Sequence, residues 1–133
     1  MTKIILFFII AFVLDVVWQN LHVFLYDNYK GGEITQFILL RAVLFDAVAM
    51  VVIALPFLLL PQLKAYDWSI IPVGVVASIG IEYWGLWTGR WAYNSLMPII
   101  PILQTGLTPT IQLGLISFVS LWLTELFVLY FSP

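Results

Sequence analysis

The chain has 133 residues, 63% hydrophobic and 9% charged, with a formal net charge of −2 and a mean hydropathy of +1.09. An average soluble domain is roughly 45–50% apolar and about 25% charged, and a chain this short exposes too much of itself to hide such an excess. A soluble globular fold, a disordered tail and a nucleic-acid binder are excluded, and the lipid bilayer becomes the first partner.

No broad basic surface is available for nucleic acid or anionic headgroups. The lack of cysteine removes disulfides, thiolate metal sites and cysteine nucleophiles. A bilayer core about 30 Å thick takes roughly 20 apolar residues per helix. Long continuous apolar runs, rather than alternating ones, read as helices.

The first run covers residues 4–26. It starts directly after Met1-Thr2-Lys3 and passes the length of a signal-peptide core with no small-residue cleavage site, so a retained span is expected. Within it Asp15, Gln19, His22 and Tyr26 fall on one narrow stripe at about 100° per residue. Phe7, Phe12 and Leu14 are assigned to the hydrocarbon side. Such a stripe either bonds neighbouring helices, for roughly 0.6 kcal/mol per contact, or lines a cavity. Four polar groups exceed what bonding alone needs. His22 has no second His or Cys nearby, so no metal or cofactor is expected.

A Gly31-Gly32 turn leads to the second span, residues 34–60, with Pro56 near its end. Arg41 and Asp46 sit within it. Five residues separate them, so they are expected to point in different directions. Arg41 must snorkel or pair with a carboxylate: Asp15, Glu82, or Asp46 of a neighbouring copy. The connector 61–67 precedes the third span, residues 68–87. There Gly74, Ser78, Glu82 and Gly85 form a small-residue stripe holding one acid. The glycines and the serine read as close-packing positions. A carboxyl in an apolar wall stays neutral unless paired, so Glu82 is either a proton donor or the partner of Arg41 or Arg90.

The third connector, residues 88–107, is rich in Pro and Gly but partly apolar. Its stretch 96–103 is too short to span, and a re-entrant or interfacial element is expected. Thr108-Pro109 reads as the start of the fourth span, residues 108–130, with Thr108 as N-cap. The fold is therefore an all-α integral membrane four-helix bundle in a single transmembrane domain, residues 1–133. Lys3 and Lys64 mark one end; Lys30 and Arg90 mark the other. This tie leaves in and out unassigned. His22, Tyr26, Arg41, Glu82, Arg90, Tyr93, Asn94, Gln104 and Gln112 fall in the Lys30/Arg90 half, with Asp15 and Asp46 near the midplane and Glu125 near the opposite end. This asymmetry predicts a one-sided polar pocket rather than a channel.

The densest stretch runs from Glu82 to Asn94. Trp87 and Trp91 fit an aromatic belt, but Glu82, Arg90 and Asn94 do not. Glu82-x-x-Gly85-x-x-Thr88-Gly89, with Tyr93 following, resembles a stretch of the membrane-bound carotenoid hydratases of the bacterioruberin pathway, over roughly a tenth of the chain. Those proteins are larger and have more spans. The wider pattern, Thr88-Gly89-Arg90-Trp91-x-Tyr93-Asn94, Met97-Pro98, Gly106-Leu107-Thr108-Pro109 and Gln112, resembles short bacterial membrane proteins that bring no activity with them. A bacterial or archaeal cytoplasmic membrane is the expected location. The hydratase resemblance implies protonation of an isoprenoid alkene, with Glu82 as the acid, Asp15 or His22 holding water or accepting a proton, and Trp84, Trp87, Trp91 or Tyr93 facing the cation.

The leading expectation is thus a membrane protein that binds or acts on a lipophilic, isoprenoid-like molecule. Its candidate catalytic residues are Glu82, Asp15 and His22. Its candidate binding residues are Gln19, Tyr26, Arg41, Asp46, Trp87, Arg90, Trp91, Tyr93, Asn94 and Gln112. A homo-oligomer or a partner membrane subunit is expected, because four helices make a thin bundle. The alternatives are a proton-coupled transporter acting as an oligomer and a non-catalytic accessory subunit.

Overall fold

A computed structural model describes residues 1–131. Four of its helices are long and apolar enough to cross a membrane, and the protein is a multi-pass, all-α membrane bundle. In chain order come α1 (Thr2–His22), β1 (Tyr26–Tyr29), α2 (Gln36–Leu59), α3 (Ile70–Trp87), β2 (Trp91–Tyr93) and α4 (Leu107–Phe131). Helices dominate because hydrocarbon offers no hydrogen bonds, so each backbone group must be satisfied within its own segment.

Several boundaries differ from the sequence expectation. The first helix ends at His22 and passes through a 3-10 turn, Val23–Leu25, so Tyr26 stands on a strand and not on the helix. Residues expected as a plain connector form a 3-10 segment, Pro61–Ser69, that runs into α3 with a kink at Tyr66. Pro61 at its first turn costs no hydrogen bond. Thr35, not flagged from sequence, caps α2 through its side chain, which accepts from the Ile38 amide at 3.3 Å. The cap of α4 is shifted as well. Gly106 offers the first carbonyl, to Thr110 N at 3.1 Å, and Thr108 lies just inside the helix with its hydroxyl used elsewhere.

α4 is the hub. It packs along α3 and α1, α1 packs along α2, and α2 barely touches α3. The α3–α4 seam is tight because it is built on glycine. A Cβ on Gly74 would collide with the backbone of Gly114, and one on Gly114 with the carbonyl of Ile71. Phe7, Ala11, Met50, Ala54, Ile70 and Leu121 form an apolar core in the half nearer the termini. Phe7 is therefore a core residue and not a lipid-facing one. It sits two turns below Asp15, on the continuation of the same stripe. Glu125 closes this end, 3.5 Å from Lys3 and 3.8 Å from Lys64.

The opposite end is closed by a small antiparallel ribbon. Tyr26 pairs with Tyr93, Asn28 with Ala92 and Tyr29 with Trp91. Its tip, Tyr29 to Gly32, is a two-residue turn with positive φ at Lys30 (51°) and Gly31 (78°), the geometry that matches strand twist. Residues 96–103, expected to be re-entrant or interfacial, belong to a loop that closes on itself. Ile100 N bonds Thr105 O at 2.9 Å and Leu107 N bonds Pro98 O at 2.8 Å. Met97 anchors it, buried against Gly106.

Candidate functional site

The Glu82–Tyr93 stretch builds its geometry locally. α3 ends in a Schellman motif: Arg90 N bonds Gly85 O at 2.9 Å and Gly89 N bonds Leu86 O at 3.3 Å. Gly89 takes φ +70°, a left-handed conformation that other residues enter only with strain. The Thr88 hydroxyl donates to Trp84 O at 2.7 Å. The chain then turns back, and Gly85 gives the Trp91 indole its space, since any Cβ there would strike the ring. Gly85, Thr88 and Gly89 thus have structural roles. Their effect is to carry Trp91 and Tyr93 back over Glu82.

Glu82 is buried and pairs with neither arginine. Its Oε1 accepts from Tyr93 OH at 2.5 Å and from Tyr26 OH at 3.3 Å. Burial pushes the Tyr93 phenol above its ordinary pKa, so Tyr93 keeps its proton and donates. The ribbon register that sets Tyr26 beside Tyr93 is what brings both hydroxyls to one oxygen.

A second polar group lies deeper. Gln112 Nε2 donates to Asp15 Oδ1 at 2.6 Å and to Asp46 Oδ2 at 2.9 Å. One amide nitrogen therefore joins carboxyls from α1 and α2 to α4. Gln19 Nε2 also donates to Asp46 Oδ2 at 2.9 Å. Gln19 Oε1 meets His22 Nε2 at 3.1 Å, and His22 Nδ1 meets Thr108 Oγ1 at 2.9 Å. With Gln19 Oε1 as acceptor, His22 carries its proton on Nε2 and accepts from Thr108 at Nδ1.

Between these groups lies a cavity of about 260 Å³. Gln19, Tyr26, Arg41, Asp46, Glu82, Arg90, Trp91 and Gln112 line it, together with Ile34, Ile38, Phe45 and Trp84. Arg41 and Asp46, expected to diverge, both reach it, because it spans more than a single face of α2. A shallow, open apolar furrow lined by Ala77 and Gly80 adjoins it, sharing Phe45, Ile81 and Trp84 with the cavity wall. The furrow lies along α3, bordered on the α2 side by Phe45.

Five candidates stand outside the cavity lining. Asp15 and His22 are buried behind the wall and reach it only through hydrogen bonds to Gln112 and Gln19. Tyr93 reaches it only through its hydrogen bond to Glu82. Trp87 is 87% exposed and stacked on Tyr83, on the far side of α3. Asn94 is a turn staple: it donates to Phe24 O at 2.5 Å and accepts from Leu96 N at 2.9 Å. Thr108, Ser78 and Trp84 are neighbours that spacing did not single out as binding residues. Thr108 was legible only as a helix start. Among the described residues no three His, Cys, Asp or Glu side chains cluster closely enough to hold a metal ion. Comparison with protein-family models, curated proteins and solved structures returns no match for the chain.

Proposed function

We propose that the protein takes a lipophilic, unsaturated molecule of isoprenoid type from the bilayer and that Glu82 protonates its alkene. One observation carries this reading. The Glu82 carboxyl faces a cavity whose apolar walls adjoin, through Phe45, Ile81 and Trp84, an open furrow along α3. A hydrophobic chain that enters there reaches a buried acid held by the two tyrosines of the ribbon.

The proton of Glu82 forms the new C–H bond with the alkene π pair and leaves a carbocation on the adjacent carbon. Trp91 lines the same space, and its ring stabilises that charge. Water held by Asp46 adds to the cation, and the proton it loses restores Glu82. Asp46 takes the role that the sequence gave to Asp15 or His22, because it is the carboxyl of that network that faces the cavity. Asp15 and His22 are positioning residues. The likeness of Glu82-x-x-Gly85-x-x-Thr88-Gly89 to membrane carotenoid hydratases points to the same chemistry.

A proton-coupled carrier needs a polar route to the other end. The fully buried apolar side chains of Met50 and Ile70 stand in that half, which favours a one-sided pocket. Assembly with a second copy or a partner subunit remains part of the proposal.

Two measurements test the reading. Membranes containing the protein, given an unsaturated isoprenoid in D2O, should yield a product with non-exchangeable deuterium at the new C–H bond. Glu82→Gln should lower that rate at least ~100-fold, the usual scale for a lost general acid, without loss of folded protein. Solvent extraction of the purified protein should also release an unsaturated isoprenoid, detectable by mass spectrometry. No deuterium uptake by the unaltered protein, or an equal rate in the variant, would overturn the chemistry.

A further inference from the structure

Arg41 and Arg90 both line the cavity, yet neither makes an ion pair among the described residues. The Arg90 guanidinium lies 4.3 Å from the Trp84 ring centroid, and that of Arg41 5.9 Å from Phe37. Arg90 Nε is buried without a hydrogen-bond partner. A guanidinium laid on a ring keeps its in-plane N–H donors directed sideways, and that planar fork matches phosphate or carboxylate oxygens. The cavity thus has two cations without a carboxylate partner in its wall, Arg41 exposed and Arg90 half-buried with an unpartnered Nε.

Their depth gives them meaning. α2 starts at the ribbon end, so Arg41 lies five residues, about 7 Å, nearer that end than Asp46. On the facing side, Glu82 lies five residues, again about 7 Å, inside the end of α3, and Arg90 follows that end. Cations occupy the rim and acids the floor. A neutral polyene would leave both cations without a counter-charge, and an anion at the floor would meet Glu82 and Asp46. An amphiphile with an anionic head at the rim and an apolar chain along the furrow matches both levels. Two separate guanidiniums suit a terminal phosphate better than a carboxylate, because phosphate offers three acceptor oxygens and more than one negative charge.

We propose that Arg41 and Arg90 are the headgroup end of this site, and that its ligand is an isoprenoid amphiphile with a terminal phosphate whose chain passes Glu82 into the furrow along α3. This rests on the reading of the cavity as a lipid-substrate site and adds the head to it. It also gives Arg90 a place beside the site, since the phosphate neutralises a cation that would otherwise oppose a carbocation.

The test is a tryptophan-fluorescence titration in neutral detergent, using Trp84 and Trp91 as reporters, with geranylgeranyl phosphate, geranylgeraniol and inorganic phosphate as probes. The phosphate-headed chain should bind at least tenfold tighter than the alcohol, and millimolar inorganic phosphate should not displace it. Arg41→Gln should narrow the gap, and Arg41→Gln with Arg90→Gln should close it while alcohol binding persists. Equal affinity of the two chains for the unaltered protein overturns the headgroup assignment and leaves the lipid cavity standing. Displacement by inorganic phosphate overturns it in favour of a free-phosphate site. Failure of both chains to bind removes both readings. The comparison of chains uses the unaltered protein, so it decides the matter even if the double variant does not fold.

Discussion

The two flanks of α3 use the same residue for opposite ends. On one flank Gly74 lies against Gly114 of α4 with no room for a methyl group. On the other, nothing stands within 4 Å of the position a Cβ on Gly80 would take. The first glycine lets two backbones meet; the second borders a gap. In hydrocarbon there is little hydrophobic gain from joining helices, so close van der Waals contact has to supply the association. The α3–α4 seam has that contact. The α2–α3 side lacks it, and that is where the cavity and furrow lie. One helix can therefore be firmly held and still border an open site.

That contrast can be broken first at the seam. Gly114→Val should destabilise the fold by about 3 kcal/mol or more, the upper end of overpacking costs, because its side chain would meet the backbone at Ile71 rather than a movable side chain. Thermal unfolding in detergent would report it, and an unchanged melting temperature would mean that the seam is looser than described. Gly80→Phe should do the reverse. It should leave stability within about 0.5 kcal/mol, as for a substitution away from packed features, yet reduce binding of a long isoprenoid chain about tenfold by filling the furrow, which is about 1.4 kcal/mol. Normal binding in Gly80→Phe would place the entry elsewhere.

Gln112→Leu probes the floor. It removes the donor shared by Asp15 and Asp46 and leaves buried acceptors unmatched, for a cost of about 1–3 kcal/mol. Gln112→Glu is not a milder control, since it would add a third carboxyl. The smallest effect belongs to the closed end. Lys64→Ala should change stability by less than about 0.5 kcal/mol, because its pair with Glu125 is long, at 3.8 Å, and the Lys64 side chain is 72% exposed, the setting in which ion pairs contribute little.

The Glu82–Tyr93 segment shows how far local sequence carries. Gly89 and Thr88 are readable as a helix stop, and Gly85 as a close-packing position, from residue type alone. What they stop and pack was not readable. Tyr26 reaches Glu82 because β1 pairs with β2, and neither three- nor four-residue strand has a pattern long enough to be recognised. The hydrogen bonds from Gln112 to Asp15 and Asp46 are equally hidden, since they join residues 97 and 66 positions apart. Phe7 was misplaced for a related reason: on a helix hydrophobic all round, composition does not tell lipid from core.

Composition determined the class, and the lengths of the apolar runs determined the number of spans. Burying unpaired backbone in hydrocarbon is so costly that long apolar runs have no alternative to the helix. The rarity of charge within those runs also marked Asp15, Arg41, Asp46 and Glu82 as residues with a purpose. Only the tertiary structure decided which of them share a space. Which helices touch depends on a few small residues: Gly74 and Gly114 draw α3 to α4, and no such pair draws α3 to α2. From that choice follow the gap, the cavity within it, and the order of cations at the rim and acids at the floor.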